Sequence, residues 1–316
     1  MFNVFIDQFW QLTISGIALG FIYVLIALGY TMVYGVLRMI NFANSEIFMW
    51  GTFGAIVASR DLFGYTQTSQ PESGAKLALV LFVQLVFSMA FAGLTAVFVE
   101  FVAYRRLRAR GTNRLATLIS AIGISMALSE VARLMTASRP VGSPRILEKK
   151  ILFEVAGASI RLDNVITIFA AGFIFIVLER FVKLSRMGKA IRAVSMNEDA
   201  AKLMGINLNR VITTTFLVGG LATGAAGFFY VTVYEYTKFN IGFTMGLAAF
   251  TAAVIGGIGN IRGSFFGGIA LGLAEVYVSS ILGTQWKSVT VFIILVLILL
   301  FKPSGIFGEA ITQARA

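Results

Sequence analysis

Residues 10–36 read WQLTISGIALGFIYVLIALGYTMVYGV, an uncharged run of 27 residues. A helix of that length is about 40 Å long, which exceeds the roughly 30 Å hydrocarbon core of a bilayer. Similar apolar runs recur to the end of the chain. In all, nine apolar segments fall near residues 10–36, 41–58, 77–101, 115–135, 164–182, 211–235, 244–260, 263–281 and 288–301. The pattern predicts an all-α, polytopic transmembrane helical bundle with about 8–10 membrane segments.

The composition supports the same fold class. Of the 316 residues, 58% are hydrophobic and 13% are charged, whereas roughly a quarter of a soluble domain is charged. The stretches between apolar segments are loops, none long enough to hold a soluble catalytic or nucleotide-binding domain. We therefore expect residues 1–316 to form a single transmembrane domain.

The chain lacks the residues that several kinds of catalysis and metal binding require. It contains no cysteine and no histidine, which removes thiol chemistry and the commonest metal ligand and general base. The sequence holds no P-loop, because Gly188-Lys189 lacks the upstream glycine and is followed by Ala190. It also holds no H-E-x-x-H or G-x-S-x-G motif. We expect a non-catalytic chain with no metal, no cofactor and no nucleic-acid partner, despite its net charge of +11.

The basic residues predict an orientation in the membrane. If all nine segments cross with the N-terminus outside, the inner loops hold fifteen Lys and Arg residues and the outer loops hold nine. Five arginines fall within YRRLRARGTNR, residues 104–114, on the inner side. Because cytoplasmic loops are enriched in Lys and Arg, we predict an N-terminus outside and a C-terminus in the cytoplasm.

Two of the segments, 41–58 and 244–260, are short, and we predict that they are broken or re-entrant. Residues 29–59 contain the first of these segments, and residues 250–280 overlap the second. Both stretches follow the same pattern, in which a polar interruption separates two apolar runs. Paired interrupted helices in the two halves of a transporter point to a binding site near the membrane midplane. The two stretches therefore suggest a pseudo-repeat.

The densest polar cluster in an apolar context consists of Asn41, Asn44, Ser45 and Glu46. A carboxylate inside a bilayer is costly unless it faces a cavity or a partner, so the cluster is a candidate wall of a solute pathway. The alternative is that these residues merely start the second span at the interface, with Asn41 or Asn44 capping the helix. Both interpretations remain open from the sequence.

Two more acids lie within apolar runs. Glu130 is three residues before Arg133, so we expect an ion pair along one helix. Glu275 has no local partner and is a second candidate for the solute pathway, although a buried interhelical hydrogen bond is the favoured interpretation.

The loop of residues 185–211 has the pattern of a short helix outside the membrane. Ser195 and Glu198 have the spacing of a capping box, which predicts a helix that begins at Met196. Asp199, Ala200 and Ala201 continue this helix, and Gly205 is placed to end it in the left-handed conformation. A short exposed helix with apolar residues indicates a docking element for another protein, and a helix lying on the membrane surface is the alternative.

At this point the sequence resembles a known family. EDAAKLMG, residues 198–205, resembles the EAA motif of ABC importer permeases. The chain as a whole, from about residue 12 to residue 308, resembles the LivH-type permeases of branched-chain amino acid importers. The segments that carry this resemblance are GYTMVYGVLRMINFANSEIFMWG (29–51), TLISAIGISMALSE (117–130), SRMGKAIRAVSMNEDAAKLMGINLNRV (185–211), FTAAVIGGIGNIRGSFFGGIALGLAE (250–275) and FKPSGIFG (301–308).

The resemblance implies an ABC importer permease fold in a bacterial inner membrane. It also implies a homologous LivM-type permease as partner, two cytoplasmic ATPases, a periplasmic solute-binding protein and a neutral amino acid as solute. Residues 195–205 would then form the coupling helix. One departure affects the solute, since Asn44 and Ser45 stand where family members often carry a histidine and a glycine. Urea or short amides remain alternatives, and an ion-coupled secondary transporter using Glu46 or Glu275 is a competing hypothesis.

Overall fold

The computed structural model describes residues 8–111, 114–155 and 158–308. Within these ranges the chain is mostly helical, which confirms the predicted all-α bundle. The helices are α1 (Phe9–Leu37), α2 (Asn44–Val57), α3 (Gly74–Val99), α4 (Arg106–Ala109), α5 (Arg114–Met135), α6 (Leu162–Leu184), α7 (Arg186–Met196), α8 (Glu198–Leu203), α9 (Leu208–Tyr234), α10 (Ile241–Gly256), α11 (Ile261–Leu282) and α12 (Lys287–Phe301).

Short irregular elements connect these helices. Two π-helical segments (Ala58–Leu62 and Glu100–Arg105) extend α2 and α3, and a 3₁₀ turn (Thr284–Trp286) precedes α12. In the described part of the chain, four short strands form two antiparallel pairs. In these pairs β1 (Val141–Gly142) lies against β4 (Tyr236–Thr237), and β2 (Ile151–Val155) lies against β3 (Ala158–Arg161).

Each of the nine apolar segments becomes one helix. Seven helices in the described residues are long and apolar enough to cross a membrane. Helix α12 has 15 residues and is long enough only together with the 3₁₀ turn before it (Thr284–Phe301, 18 residues). The two segments predicted to be short are the exceptions, because α2 has 14 residues and α10 has 16. Since an α-helix rises 1.5 Å per residue, α10 is about 24 Å long, less than the thickness of the hydrocarbon core.

Glycine pairs hold the middle of the bundle together. A Cβ atom on Gly272 of α11 would lie 2.5 Å from the Cα atom of Gly20 on α1, and one on Gly220 of α9 would lie 3.0 Å from the Cα atom of Gly93 on α3. Such backbone approach maximises dispersion contacts in lipid, where no hydrophobic effect drives helices together. These glycines therefore pack helices of the chain against one another.

Successive loops lie at alternate ends of the bundle. At one end, Arg38 donates to the carbonyl of Ser195 at 2.9 Å, and Arg108 donates to Asn209 at 2.8 Å. These contacts join residues 38–43, 100–111 and 185–211, and we call this end the basic end.

The other end joins the remaining loops. The backbone N–H of Glu72 donates to the carbonyl of Ile146 at 3.0 Å, and that of Ser143 donates to the carbonyl of Glu235 at 2.7 Å. We call it the opposite end. The alternation is the geometry that nine successive crossings require.

Candidate functional site

The polar cluster of residues 41–46, hereafter the 41–46 junction, lies deep inside the bundle. The side-chain amide of Asn44 donates to the carbonyl of Ile26 at 3.2 Å, and Thr223 in the middle of α9 donates to Asn44 at 3.4 Å. Ile26 is eleven residues before Leu37, the last residue of α1, which places it about 16 Å inside that helix end. After leaving α1, the chain therefore turns back into the bundle before α2 begins.

Helix α10 begins at the same depth from the other side. Gly242 lies against Glu46, so that a Cβ atom on the glycine would be 2.6 Å from Glu46 Oε2. Gly246 lies equally close to Ser45, where a Cβ atom would be 2.3 Å from Ser45 Cβ. The first turns of α2 and α10 therefore pack against each other inside the protein.

The two short helices then run to different ends. Beyond α2, Arg60 donates to the carbonyl of Gly142 at 2.5 Å at the opposite end. At the end of α10, the N–H of Ile306 donates to the carbonyl of Ile255 at 2.7 Å at the basic end. Each helix thus spans about half of the bundle, and their N-termini meet inside it.

This meeting of N-termini gives the site its electrostatic character. A helix N-terminus carries a partial positive charge of about half an elementary charge, and Glu46 lies in the first turn of α2. Its side chain is buried, and its Oε2 atom has no hydrogen-bond partner among the described residues. Backbone N–H groups can bind an anionic group here, while the carboxylate can accept from a cationic one.

Asn41 and Ser45 of the junction are also buried. Asn41 Oδ1 accepts from the hydroxyl of Tyr104 at 2.9 Å and from the N–H of Ala43 at 3.1 Å. The hydroxyl of Ser45 donates to the carbonyl of Phe42 at 2.7 Å. Ala43, rather than either asparagine, occupies the N-cap of α2 and makes no side-chain capping bond.

Glu275 lies apart from the junction. The Tyr23 hydroxyl on α1 donates to Glu275 Oε2 at 2.5 Å, which is the interhelical bond favoured by the sequence analysis. Tyr23 itself was not identified from the sequence, because the two residues are 252 positions apart. The other acid, Glu130, forms the expected ion pair with Arg133.

A cavity of about 310 Å³ lies near Glu275. Its wall combines apolar side chains with polar and basic ones, namely Ser15, Arg161, Asn164, Tyr234, Ser279 and Lys287. Lys287 is close enough to Glu275 for the two charges to interact. Nothing in the local sequence connects Lys287 to α11, so this proximity depends on the tertiary structure.

The 185–211 loop contains two short helices rather than one. Ser195 lies inside α7, where its hydroxyl donates to the carbonyl of Arg192 at 2.7 Å, so the predicted capping role of Ser195 is wrong. The cap is Asn197, whose side chain accepts from the N–H groups of Asp199 and Ala200, both at 3.0 Å. Helix α8 therefore begins at Glu198, two residues later than predicted.

The prediction that Gly205 ends the short helix in the left-handed conformation is confirmed. Gly205 has φ of +78°, its N–H donates to Lys202, and the N–H of Ile206 donates to Ala201. These two bonds form a Schellman motif, in which glycine adopts the left-handed conformation without a steric penalty.

The surface of this loop is unusually apolar. Met196, Leu203 and Met204 are 80%, 89% and 82% exposed. Ala201 is buried and anchors α8, whereas Ala200 is exposed. On the exposed face, the hydrogen bond and charge of Glu198, at 3.1 Å, raise the pKa of Lys202 above its ordinary value.

Comparisons with known proteins cover nearly the whole chain. The family described as branched-chain amino acid transport system / permease component matches residues 12–300. The permease protein BraD of a high-affinity branched-chain amino acid transport system in Pseudomonas aeruginosa is 36% identical over 96% of this chain and 97% of that protein. The corresponding LivH protein of Escherichia coli K12 is 38% identical over 95% of this chain and 96% of that protein.

One solved structure has a similar fold. It shows an inward-facing conformation of a metal-chelate type ABC transporter, with a TM-score of 0.51 and 13% identity over 92% of this chain and 84% of that chain. At this identity the likeness concerns the fold alone.

Proposed function

Because this chain belongs to the permease family of branched-chain amino acid transport systems, we propose that it translocates branched-chain or other neutral amino acids as the membrane subunit of an ABC importer. The nearly full-length family match is the observation that carries this proposal. As a permease subunit the chain is not itself an enzyme, and separate subunits would hydrolyse the ATP.

We further propose that the basic end faces the cytoplasm of a bacterial inner membrane. The support is the sequence count given above, fifteen Lys and Arg residues on the inner side against nine on the outer side, since the described inner loops lie at the basic end. The N-terminus would then lie outside and the C-terminus inside.

The 185–211 loop is the proposed contact with a cytoplasmic ATPase. The support is its position at the basic end together with the exposure of Met196, Leu203 and Met204, since exposed apolar patches mark protein interaction sites. Closure of two ATPases would reach the bundle through α8, because Ala201 is buried against it. A LivM-type permease and a periplasmic solute-binding protein complete the proposed assembly.

The solute pathway is proposed to pass the 41–46 junction. An amino acid has a carboxylate and an ammonium group, and the junction offers two helix N-termini and the Glu46 carboxylate. The cavity near Glu275, with Lys287 in its wall, is the proposed entrance from the opposite end.

Uptake of radiolabelled leucine into proteoliposomes tests this function. The complex of the chain with its permease partner, ATPases and binding protein should accumulate leucine only with ATP. Glu198→Lys and Gly205→Pro should abolish uptake and stimulated ATP hydrolysis without affecting membrane insertion. Glu148→Lys is the matched control, because Glu148 is an exposed acid at the opposite end.

Two other outcomes would redirect the proposal. Accumulation by the purified chain alone under a proton or sodium gradient would instead establish a secondary transporter, for which the unpaired Glu46 Oε2 is a candidate coupling group. Competition among leucine, alanine, proline, glutamine and urea would identify the solute class.

A further inference from the structure

A second cavity, of about 400 Å³, lies at the basic end between the start of α9 and the end of the π-helical extension of α3. Met187 of α7 contributes one side chain to its wall. The other residues of the wall are polar or basic, namely Arg105, Asn207, Asn209, Arg210, Thr213 and Thr214. The proposed transport function assigns no role to this cavity.

The cavity has an excess of positive charge. In the part of the chain that the structure describes, neither Arg105 nor Arg210 has a carboxylate within ion-pair distance. The nearby acid, Glu100, is already neutralised by Arg108 at 3.0 Å and accepts from Thr213 at 3.2 Å. Two guanidinium groups are therefore available to an anion.

The neutral side chains in the wall also offer donors. The Oδ1 atom of Asn207 accepts from the N–H of Arg210 at 3.1 Å, and that of Asn209 accepts from Arg108 at 2.8 Å. Both asparagines thus keep their side-chain N–H groups for a ligand. Guanidinium and amide donors around one space suit a phosphate, which has several acceptor oxygens.

The position of the cavity favours a lipid as the source of that phosphate. Phe101 and Val102, about one turn before Arg105, are 48% and 38% exposed on the outside of the bundle. The Arg105 guanidinium lies 5.7 Å from the centre of the Phe101 ring, an arrangement typical of a basic side chain at the headgroup level. Basic pockets between transmembrane helices on the cytoplasmic side bind anionic headgroups.

We propose that this cavity binds the phosphate headgroup of an anionic phospholipid. Since Met187 belongs to α7, a bound lipid contacts both α9 and the 185–211 loop. Lipid occupancy would therefore stabilise the position of the loop on the bundle.

Native mass spectrometry of the purified transporter complex tests this site. The complex would be exchanged from detergent micelles that contain phosphatidylcholine into micelles with an increasing fraction of phosphatidylglycerol. The number of phosphatidylglycerol molecules retained per complex would be counted. Replacing both cavity arginines, Arg105→Gln with Arg210→Gln, should weaken selective retention by about 100-fold, because each guanidinium loses a charge-assisted hydrogen bond to the phosphate that contributes about a factor of ten.

The chain offers a matched control in the same arginine-rich stretch. Arg106→Gln with Arg110→Gln removes the same charge from exposed positions outside the cavity, and should leave selective retention within about twofold of wild type. Equal losses of phosphatidylglycerol retention in both double variants would show a general attraction between basic residues and anionic lipid, and would contradict a specific site in the cavity. Displacement of the lipid by millimolar inorganic phosphate would contradict the lipid proposal and would indicate that the cavity binds a soluble anion.

Discussion

The 41–46 junction and the Asn197–Gly205 segment are both short polar stretches in an apolar chain, yet their surroundings differ completely. In the junction, Asn44 and Glu46 are 1% and 4% exposed, whereas in the second segment Leu203 is 89% exposed. The junction places polar groups inside the bundle, and the 197–205 segment places apolar groups outside it. A buried carboxylate oxygen with no partner among the described residues, such as Glu46 Oε2, and an exposed apolar side chain are each unfavourable by themselves. The proposed function therefore assigns a solute to the first region and a protein partner to the second.

The two regions also differ in how they are held. The 197–205 segment is fixed by local bonds, namely the Asn197 cap and the Gly205 motif. The junction is fixed by contacts with α1, α9 and α10, which are distant in sequence. Damage to the junction should therefore affect the whole bundle, while damage to the segment should stay local.

The largest effect is expected from Gly246→Leu. Any Cβ atom at this position would lie 2.3 Å from Ser45 Cβ, so α2 and α10 would have to separate, which costs upwards of about 3 kcal/mol. We expect little folded protein by size-exclusion chromatography in detergent. Gly123→Leu is the control, because Gly123 on α5 has open space around it. Equal yields of the two variants would contradict the close packing of α2 against α10.

Next in size is the effect of Glu46→Gln, which keeps the shape of the side chain and removes its charge. If the carboxylate binds the moving solute, leucine uptake should fall by about 100-fold, equivalent to roughly 2.7 kcal/mol. The thermal stability of the complex should change little. Glu130→Gln, which affects an exposed ion pair, should transport normally. Normal uptake by Glu46→Gln would leave the junction a purely structural role.

A smaller effect, of about tenfold, is expected from combining Leu203→Ser with Met204→Ser. Loss of two apolar contacts should weaken ATPase binding by an amount typical of interface residues, without loss of folded permease. Co-purification of the ATPase subunits measures this directly. Ile151→Ser at the opposite end, where Ile151 is 48% exposed, should leave co-purification unchanged. If the loop variant retained as much ATPase as this control, the ATPase would have to bind elsewhere.

The smallest effect is expected from Asn197→Ala. It removes the cap of α8, a local loss of about 1 kcal/mol, so the amides of Asp199 and Ala200 should exchange their hydrogens about fivefold faster. Ser195→Ala should change neither rate, since the Ser195 hydroxyl bonds only to the Arg192 carbonyl within α7. Faster exchange in the serine variant would restore the capping box that the sequence suggested.

The difference between Ser195 and Asn197 shows where sequence analysis failed locally. Both residue types cap helices well, and the spacing from Ser195 to Glu198 favoured the serine. The choice depends on α7, which continues through Ser195 to Met196 while Ile191 and Val194 are buried in the bundle. Tertiary packing thus selected between two adequate local signals.

By itself, the sequence determined the nine apolar helices, the shortness of α2 and α10, the Glu130–Arg133 pair and the glycine that ends α8. These features depend on hydropathy, spacing and backbone conformation within a few residues of one another. Only the tertiary structure decided that α2 and α10 meet inside the bundle, that Tyr23 bonds Glu275, and that Lys287 faces the nearby cavity. Those contacts join residues far apart in the chain, and side chains that meet through packing leave no periodic pattern in a single sequence.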